Sequence, residues 1–317
     1  MFAQKTVGKW VAGVLLGGLF SLAAHAAASD IIYKGDAKCT RCHDESETVP
    51  VLSIAKTKHG TVADGRVPSC VSCHGESEKH ANKPEDVKVR PSTDRNFTKH
   101  SKLTAAQKDQ ACTTCHQGGK HMGWSMGAHA RNDISCNSCH QVHTGKDKVR
   151  DKRTQAEVCY TCHKQQRAES NKPSHHPVPE GLMTCSSCHA VHDSSAKLLT
   201  RGSVNDTCYT CHMEKRGPFL HNHQPVTENC SICHNPHGTT TASLLKARSP
   251  FLCQECHSHT SHPGQRAVLS SGISTAVATT NSTSTLGVNA RGCMNCHTNI
   301  HGGNSLVNSA TAGRFRR

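Results

Sequence analysis

The motif Cys-x-x-Cys-His occurs ten times in this chain and uses all twenty of its cysteines. In c-type cytochromes the two thiols of such a motif form thioethers with the haem vinyl groups, and the histidine binds the iron as the proximal ligand. The sequence therefore predicts ten haem c groups. The attachment cysteines are Cys39, Cys42, Cys70, Cys73, Cys112, Cys115, Cys136, Cys139, Cys159, Cys162, Cys185, Cys188, Cys208, Cys211, Cys230, Cys233, Cys253, Cys256, Cys293 and Cys296. The predicted proximal ligands are His43, His74, His116, His140, His163, His189, His212, His234, His257 and His297.

Other cysteine chemistries explain this pattern less well. A single copy could be half of a zinc site or a redox-active Cys-x-x-Cys pair. Zinc, however, prefers Cys₄ or Cys₂His₂ groupings and needs no histidine after every cysteine pair. Structural disulfides would not show ten identical short spacings.

The first 26 residues have the pattern of a secretory signal peptide. Lys5 and Lys9 precede an apolar run over residues 10–24, and Ala24-His25-Ala26 resembles a cleavage site. A membrane anchor is the alternative, but the run is short for a membrane span. We expect a mature chain of residues 27–317 that is exported to the periplasm.

The composition argues against a conventional hydrophobic core. The chain has only six Phe, two Trp and three Tyr. We expect a multihaem cytochrome c that is mostly loop, with short α-helices wrapped around a linear array of ten haems and almost no β-strand. Helix-capping signals precede three motifs: Thr104 with Gln107, Thr154 with Glu157, and Asn205-Asp206.

The formal charge of +14 at first suggests binding to nucleic acid. Loss of the signal peptide would leave about +12. The propionates of ten haems would add about −20 and the ferric haem cores about +10, so the oxidised holoprotein would be close to neutral. We therefore expect no nucleic-acid partner.

The motifs form a repeat within a single elongated decahaem domain. Five two-haem units follow one another at 39–80, 112–143, 159–192, 208–237 and 253–301, and the last carries a Ser/Thr/Gly-rich insertion at 263–290. In the three central units a further histidine stands three residues after the second motif. The next unit's first cysteine follows that histidine by sixteen positions each time.

Two histidines per unit are predicted to be distal iron ligands. They are His59, His80, His129, His143, His176, His192, His223, His237, His262 and His301. His25 leaves with the signal peptide, and the other histidines outside the motifs fall outside this pattern: His100, His121, His175, His221 and His259.

Bis-histidine ligation decides the expected function. Two imidazoles fill both axial positions of an iron, so a haem ligated in this way passes electrons and binds no substrate. We therefore predict an electron conduit and no catalytic residues. Two alternatives stay open: a soluble periplasmic multihaem shuttle, and a multihaem reductase with one open haem.

Longer segments carry a family resemblance. They are Cys136-Asn-Ser-Cys139-His140-Gln-Val-His143, Val204-Asn-Asp-Thr-Cys208-Tyr-Thr-Cys211-His212, Glu214-Lys-Arg-Gly-Pro218 and Pro225-Val-Thr-Glu-Asn-Cys230. With the ten motifs they resemble the decahaem cytochromes of the MtrA/DmsE type, which include the MtoA and PioA proteins. The resemblance covers the mature chain and implies the same ten distal ligands. It also implies a haem wire inside an outer-membrane β-barrel porin.

The resemblance further implies redox partners on both sides of that membrane. These would be periplasmic or inner-membrane c-type cytochromes on one side. On the other they would be extracellular iron or another external donor or acceptor, reached in some members through an extracellular multihaem cytochrome. Both iron oxidation and metal reduction fit a wire, because electrons can pass along it in either direction.

Overall fold

The computed structural model describes residues 36–61, 65–195, 197–257, 293–295 and 297–305. The predicted signal peptide, the insertion at 263–290, His262 and Cys296 lie outside the described residues.

In the described residues, ten short α-helices, labelled α1 to α10 in chain order, carry much of the regular structure. Their bounds are Ala37–Thr40, Cys70–His74, Glu78–Ala81, Ala105–Thr113, Ala128–Arg131, Gln155–Tyr160, Lys164–Ser170, Val204–Tyr209, Gln224–Glu228 and Phe251–Gln254. The first motif of each predicted unit begins on a helix, namely α1, α4, α6, α8 and α10. The capping signals predicted short helices at α4, α6 and α8, and this prediction is confirmed.

Short 3₁₀ helices make up the remaining helical structure of the described residues. They are Val51–Lys56, Lys58–Gly60, Gly119–His121, Trp124–Met126, Cys136–Ser138, Lys148–Arg150, Cys185–Ser187, Met213–Lys215, Cys230–Ile232, Ala242–Leu244 and Cys293–Asn295. The described residues contain no β-strand, only isolated bridges such as His189 to Leu199 and His234 to Leu245. The predicted fold class of helix and loop is therefore confirmed.

The three predicted caps have different outcomes. Helix α4 begins after Thr104, whose side chain forms the full capping box with Gln107, as predicted. The capping box predicted at Thr154 and Glu157 is not formed, so this prediction is wrong. Helix α6 does begin after Thr154, but the side chain of this residue caps no helix amide. Its hydroxyl donates to the carbonyl of Lys148 at 2.7 Å instead.

The cap predicted at Asn205-Asp206 is displaced. The N-cap of α8 is Ser203, whose Oγ accepts the amide of Asp206 at 3.0 Å. Asn205 lies inside the helix and is buried, because its side chain makes a different contact that is described below.

Few side chains form a core. Among the described residues, the buried hydrophobic side chains are those of Ala105, Ala156 and Tyr160. Large apolar side chains such as Met122, Leu182 and Phe251 are exposed. Burial of these three side chains alone would not offset the conformational entropy of ordering a chain of this length.

The chain divides into two compact units. The first comprises Met1–Leu103 with Gln141–Gly145, and the second comprises Thr104–His140 with Lys146–Arg317. Across the described residues, no helix has the length and apolar character that crossing a bilayer would require.

Candidate functional site

Each Cys-x-x-Cys-His motif forms one tight turn. In nine motifs the histidine amide donates to the carbonyl of the first cysteine at 2.9–3.1 Å, and the tenth, Cys70–His74, is helix α2 itself. One helical turn brings the two cysteines and the histidine of a motif to one place, as haem attachment through three side chains requires.

Eight motif histidines each lie beside one of the predicted distal histidines. The ring centroids of all eight pairs are 6.0–6.3 Å apart. The pairs are His43 with His80, His74 with His143, His163 with His129, His140 with His192, His212 with His176, His189 with His237, His257 with His223, and His234 with His301.

The near-constant distance indicates what these pairs can hold. Two imidazoles that bind one metal ion through nitrogens at about 2.0 Å have ring centroids about 6 Å apart. The angle between the ring planes, in contrast, ranges from 7° for His43 and His80 to 88° for His129 and His163. A shared metal fixes the distance and leaves the rotation about the metal axis free. Direct ring stacking would instead restrict the angle.

The pairing links successive units of the repeat. From the second unit onward, the histidine after a unit's second motif faces the second motif of the preceding unit, as His192 faces His140 and His237 faces His189. In the first unit, His80 instead faces His43 of the same unit. The histidine between a unit's two motifs faces the first motif of the following unit, as His176 faces His212. Except for His80 with His43, each such pair therefore joins two units, which the spacings in the sequence did not reveal.

Hydrogen bonds orient many of these imidazoles. A carbonyl oxygen lies 2.7–3.4 Å from Nδ1 in seven of them: His74, His80, His129, His143, His176, His189 and His234. A carboxylate oxygen lies near Nδ1 in four others: Glu47 at 2.9 Å from His43, Asp147 at 2.6 Å from His140, Glu214 at 3.7 Å from His212, and Glu169 at 3.5 Å from His237. An acceptor at Nδ1 keeps the proton there and leaves Nε2 available to a metal.

Burial also favours the neutral form of several rings. Burial, followed by the neighbouring His121 and His140, lowers the pKa of His192 to about 4. Burial is the largest cause of the lowered pKa of His74, His237 and His301 as well. Neutral imidazole is the form that binds metal ions.

The remaining predicted ligands are not among the eight pairs. His59 lies in the 3₁₀ turn Lys58–Gly60, and Thr57 Oγ1 accepts its amide at 3.1 Å. His116 follows α4, and its ring lies 5.6 Å from that of His121. His297 follows the turn at Cys293, whereas His262 is outside the described residues.

In two histidines outside the pattern, Nε2 lies within hydrogen-bonding distance of an oxygen atom. In His175, Nδ1 lies against the carbonyl of Lys172 and Nε2 lies 3.0 Å from Glu180 Oε1. His221 Nε2 lies 2.9 Å from the carbonyl of Ser305. These contacts favour the neighbouring His176 and His223 as ligands. The His121 ring is 4.8 Å from that of His192, which is shorter than the spacing of the eight pairs.

The first cysteines of the two motifs in a unit lie close together. The sulfur atoms of Cys39 and Cys70 and a carboxylate oxygen of Asp36 all lie within 4.8 Å of one another. A hydrogen bond between the thiols is the largest cause of the raised pKa of Cys136, whose partner is Cys112, and of Cys159, whose partner is Cys185. Cys208 with Cys230 and Cys253 with Cys293 are similarly hydrogen-bonded.

Sequence reasoning missed a polar contact that recurs in every unit. A side chain three or four residues before the first cysteine accepts a backbone amide at the start of the second motif, at 2.7–3.1 Å. The donor–acceptor pairs are Cys70 to Asp36, Cys136 to Asp109, Ser186 to Gln155, Cys230 to Asn205 and Cys293 to Ser249. The signal in the sequence was a polar residue at one of these two positions in each unit.

Known proteins share these motifs along the chain. The model described as "Doubled CXXCH motif" matches residues 175–217 and 223–262, and the one described as "Cytochrome c-type protein NrfB-like" matches residues 70–154. A multiheme cytochrome MtrA of Shewanella baltica is 40% identical over 276 residues, which cover 86% of this chain and 79% of the relative. A cytochrome c-type protein NrfB of Haemophilus influenzae is 30% identical over 157 residues, 42% of this chain and 68% of the relative.

Proposed function

The chain belongs to the MtrA-type multihaem c-type cytochromes, and we propose that it is a decahaem conduit that carries electrons across the outer membrane. The similarity to known proteins supports a multihaem electron-transfer cytochrome that binds haem c. The proposal adds three things: ten haems, two histidine ligands on each iron, and a position inside an outer-membrane porin.

The eight histidine pairs are the observation that carries the proposal. Haem c, when bound, supplies reversible one-electron chemistry at its iron. A pair such as His189 and His237 would fill both axial positions of that iron, which leaves no position for a substrate. The chain's task is then to hold each site rigid and to orient both imidazoles through hydrogen bonds at Nδ1.

The proximity of cysteines from different motifs supports a continuous chain of haems through the second compact unit. Within a two-motif unit, the first cysteines are in contact, as described above. Between units, cysteines of neighbouring motifs are close enough in the haem-free chain to affect one another: after burial, Cys162 is the next cause of the raised pKa of Cys139, and Cys256 is the next cause of the raised pKa of Cys233. Cys208 acts in the same way on Cys188. Because these sulfurs are the points of attachment, they would bring the edges of successive porphyrins near one another.

The position in the outer membrane rests on the family resemblance and on the predicted signal peptide. We propose an outer-membrane β-barrel porin as the structural partner and c-type cytochromes of the periplasm or inner membrane as redox partners. Extracellular iron, reached directly or through an extracellular multihaem cytochrome, would complete the path. The cytochrome should therefore co-purify with a barrel protein from detergent-solubilised outer membranes. Recovery from the soluble fraction alone would favour the periplasmic shuttle.

Spectroscopy tests the ligation. We expect electron paramagnetic resonance of the oxidised protein to show only low-spin iron, and His237→Ala to create one high-spin ferric haem. His100→Ala, which changes an exposed histidine outside the pairs, should leave the spectrum unchanged. A high-spin signal in the unmodified protein would support the reductase alternative, and identical low-spin spectra for both variants would refute the assignment of His237.

A further inference from the structure

The position three residues before the first cysteine of each unit is buried in all five units. Asp36 has no exposed surface, Asp109 is 6% exposed, and Ala156 and Asn205 are 7% exposed. Pro250 in the last unit is also fully buried. The chemical character at this position changes along the chain: a carboxylate stands there in the first two units and a neutral residue in the other three.

The acid and amide side chains play the same structural role. Oδ1 of Asp36, Asp109 and Asn205 accepts the amide of the second motif's first cysteine at 2.7–2.8 Å. Because Asn205 makes this bond without a charge, the bond itself does not require a carboxylate. The negative charge of Asp36 and Asp109 therefore needs a separate explanation.

The surroundings of Asp36 leave one of its carboxyl oxygens without a hydrogen bond. Its Oδ2 atom is buried and accepts no hydrogen bond from the described residues. The nearby cation, Lys38, is already engaged, because its Nζ donates to Glu76 at 2.6 Å and to Glu78 at 2.9 Å. In the second unit, Oδ2 of Asp109 accepts one further bond, from Trp124 Nε1 at 2.6 Å.

Both carboxylates lie beside the points of haem attachment. A carboxylate oxygen of Asp36 is within 4.8 Å of the sulfur atoms of Cys39 and Cys70. After the thiol of Cys112 and burial, the Asp109 side chain contributes to the raised pKa of Cys136, first through a hydrogen bond and then through its charge. Two haems attached in one unit would thus share one buried negative charge.

We propose that Asp36 and Asp109 set redox potential: their buried carboxylates lower the reduction potentials of the haems attached through Cys39, Cys70, Cys112 and Cys136. The later units have the neutral residues Ala156, Asn205 and Pro250 at this position, so the potentials of their haems are not lowered in this way. Reduction adds one electron to each ferric iron and removes one positive charge from the haem core. No bond forms or breaks. A nearby anion stabilises the ferric form more than the ferrous form, and low local polarity strengthens the effect.

The test removes the charge and keeps the hydrogen bond to the cysteine amide. At position 109 it also removes the acceptor of Trp124 Nε1, so Asp36→Asn is titrated alone as well as in the double variant. In Asp36→Asn with Asp109→Asn, each amide can accept the cysteine amide as Asn205 does. In a spectropotentiometric titration against an electrode, we expect the low-potential part of the curve to move to higher potential. A tenfold change in the equilibrium constant corresponds to 59 mV for a one-electron couple. The reverse change, Asn205→Asp, should move part of the curve to lower potential.

A surface carboxylate supplies the control. Asp86 follows the first two-haem unit and is exposed, so any effect of Asp86→Asn should disappear at 1 M salt, where the Debye length is about 3 Å. The shift in the buried variants should persist at that salt concentration. Unchanged titrations for both the double variant and Asn205→Asp would overturn the proposal, as would a shift that 1 M salt abolishes.

The inference rests on haem attachment at these cysteines, as the proposed function does, but the two can fail separately. Mass spectrometry of each variant counts its covalently bound haems. Fewer than ten in the unmodified chain would refute the decahaem proposal. A full complement with unshifted potentials would refute only the role of the two carboxylates. If the double variant loses haem, Asn205→Asp alone decides the question.

Discussion

The imidazole rings of His176 and His212 lie 6.3 Å apart, although the two residues belong to successive units of the repeat. His176 Nδ1 lies 2.8 Å from the carbonyl of Pro236, which leaves Nε2 available toward His212. The adjacent His175 has both ring nitrogens within hydrogen-bonding distance of Lys172 and Glu180. Two neighbouring histidines thus have separate roles.

This difference gives a matched pair of variants. His176→Ala should remove one axial ligand and produce a high-spin ferric signal for a single haem, because the iron keeps only His212. His175→Ala should keep every haem low-spin, since neither of its nitrogens faces a motif histidine. Electron paramagnetic resonance of both oxidised proteins checks the prediction. A high-spin signal from His175→Ala alone would reverse the assignment.

A second prediction concerns the carboxylate behind His140. Asp147 Oδ2 lies 2.6 Å from His140 Nδ1, and a carboxylate at this position makes the imidazole a more basic ligand. Asp147→Asn should therefore weaken the stabilisation of ferric iron and raise the potential of one haem. Spectropotentiometry measures this shift.

The control for Asp147 is Asp151→Asn, four residues further along the chain. Asp151 is exposed, and its carboxylate accepts the amide of Arg153 at 2.9 Å. Its replacement should leave the titration unchanged. An equal shift in both variants would mean that general surface charge, and not the contact with His140, sets the potential.

The capping signals predicted short helices and the motif spacings predicted the set of distal candidates, because both follow from local sequence. The pairing of His140 with His192 was not predictable in this way, since a spacing does not state which unit a side chain faces. The hydrogen bond that Asn205 accepts from the second motif was also not predicted. Read from the sequence alone, Asn205 resembles a helix cap, whereas Ser203 fills that role and Asn205 accepts the amide of Cys230 from the following motif.

The scarcity of buried apolar side chains among the described residues predicts that the apoprotein is unfolded. Ala105, Ala156 and Tyr160 bury too little apolar surface to offset chain entropy. Expression without the cytochrome c maturation machinery should give a protein whose far-ultraviolet circular dichroism is that of a disordered chain and which is degraded rapidly by protease. Native-like helicity in the apoprotein would show that the polypeptide folds independently of its haems.

The glycine after His237 provides the last prediction. Gly238 has a φ of +144°, and a Cβ there would lie 2.1 Å from the carbonyl oxygen of Glu169. The Glu169 carboxylate is 3.5 Å from His237 Nδ1, so Gly238→Ala should displace the group that orients this ligand. We expect a cost on the order of 1–3 kcal/mol, seen as a lower Tm and some high-spin iron. Gly202→Ala, with nothing within 4 Å of its Cβ, should change neither, and an unaltered Tm in Gly238→Ala would contradict the strain.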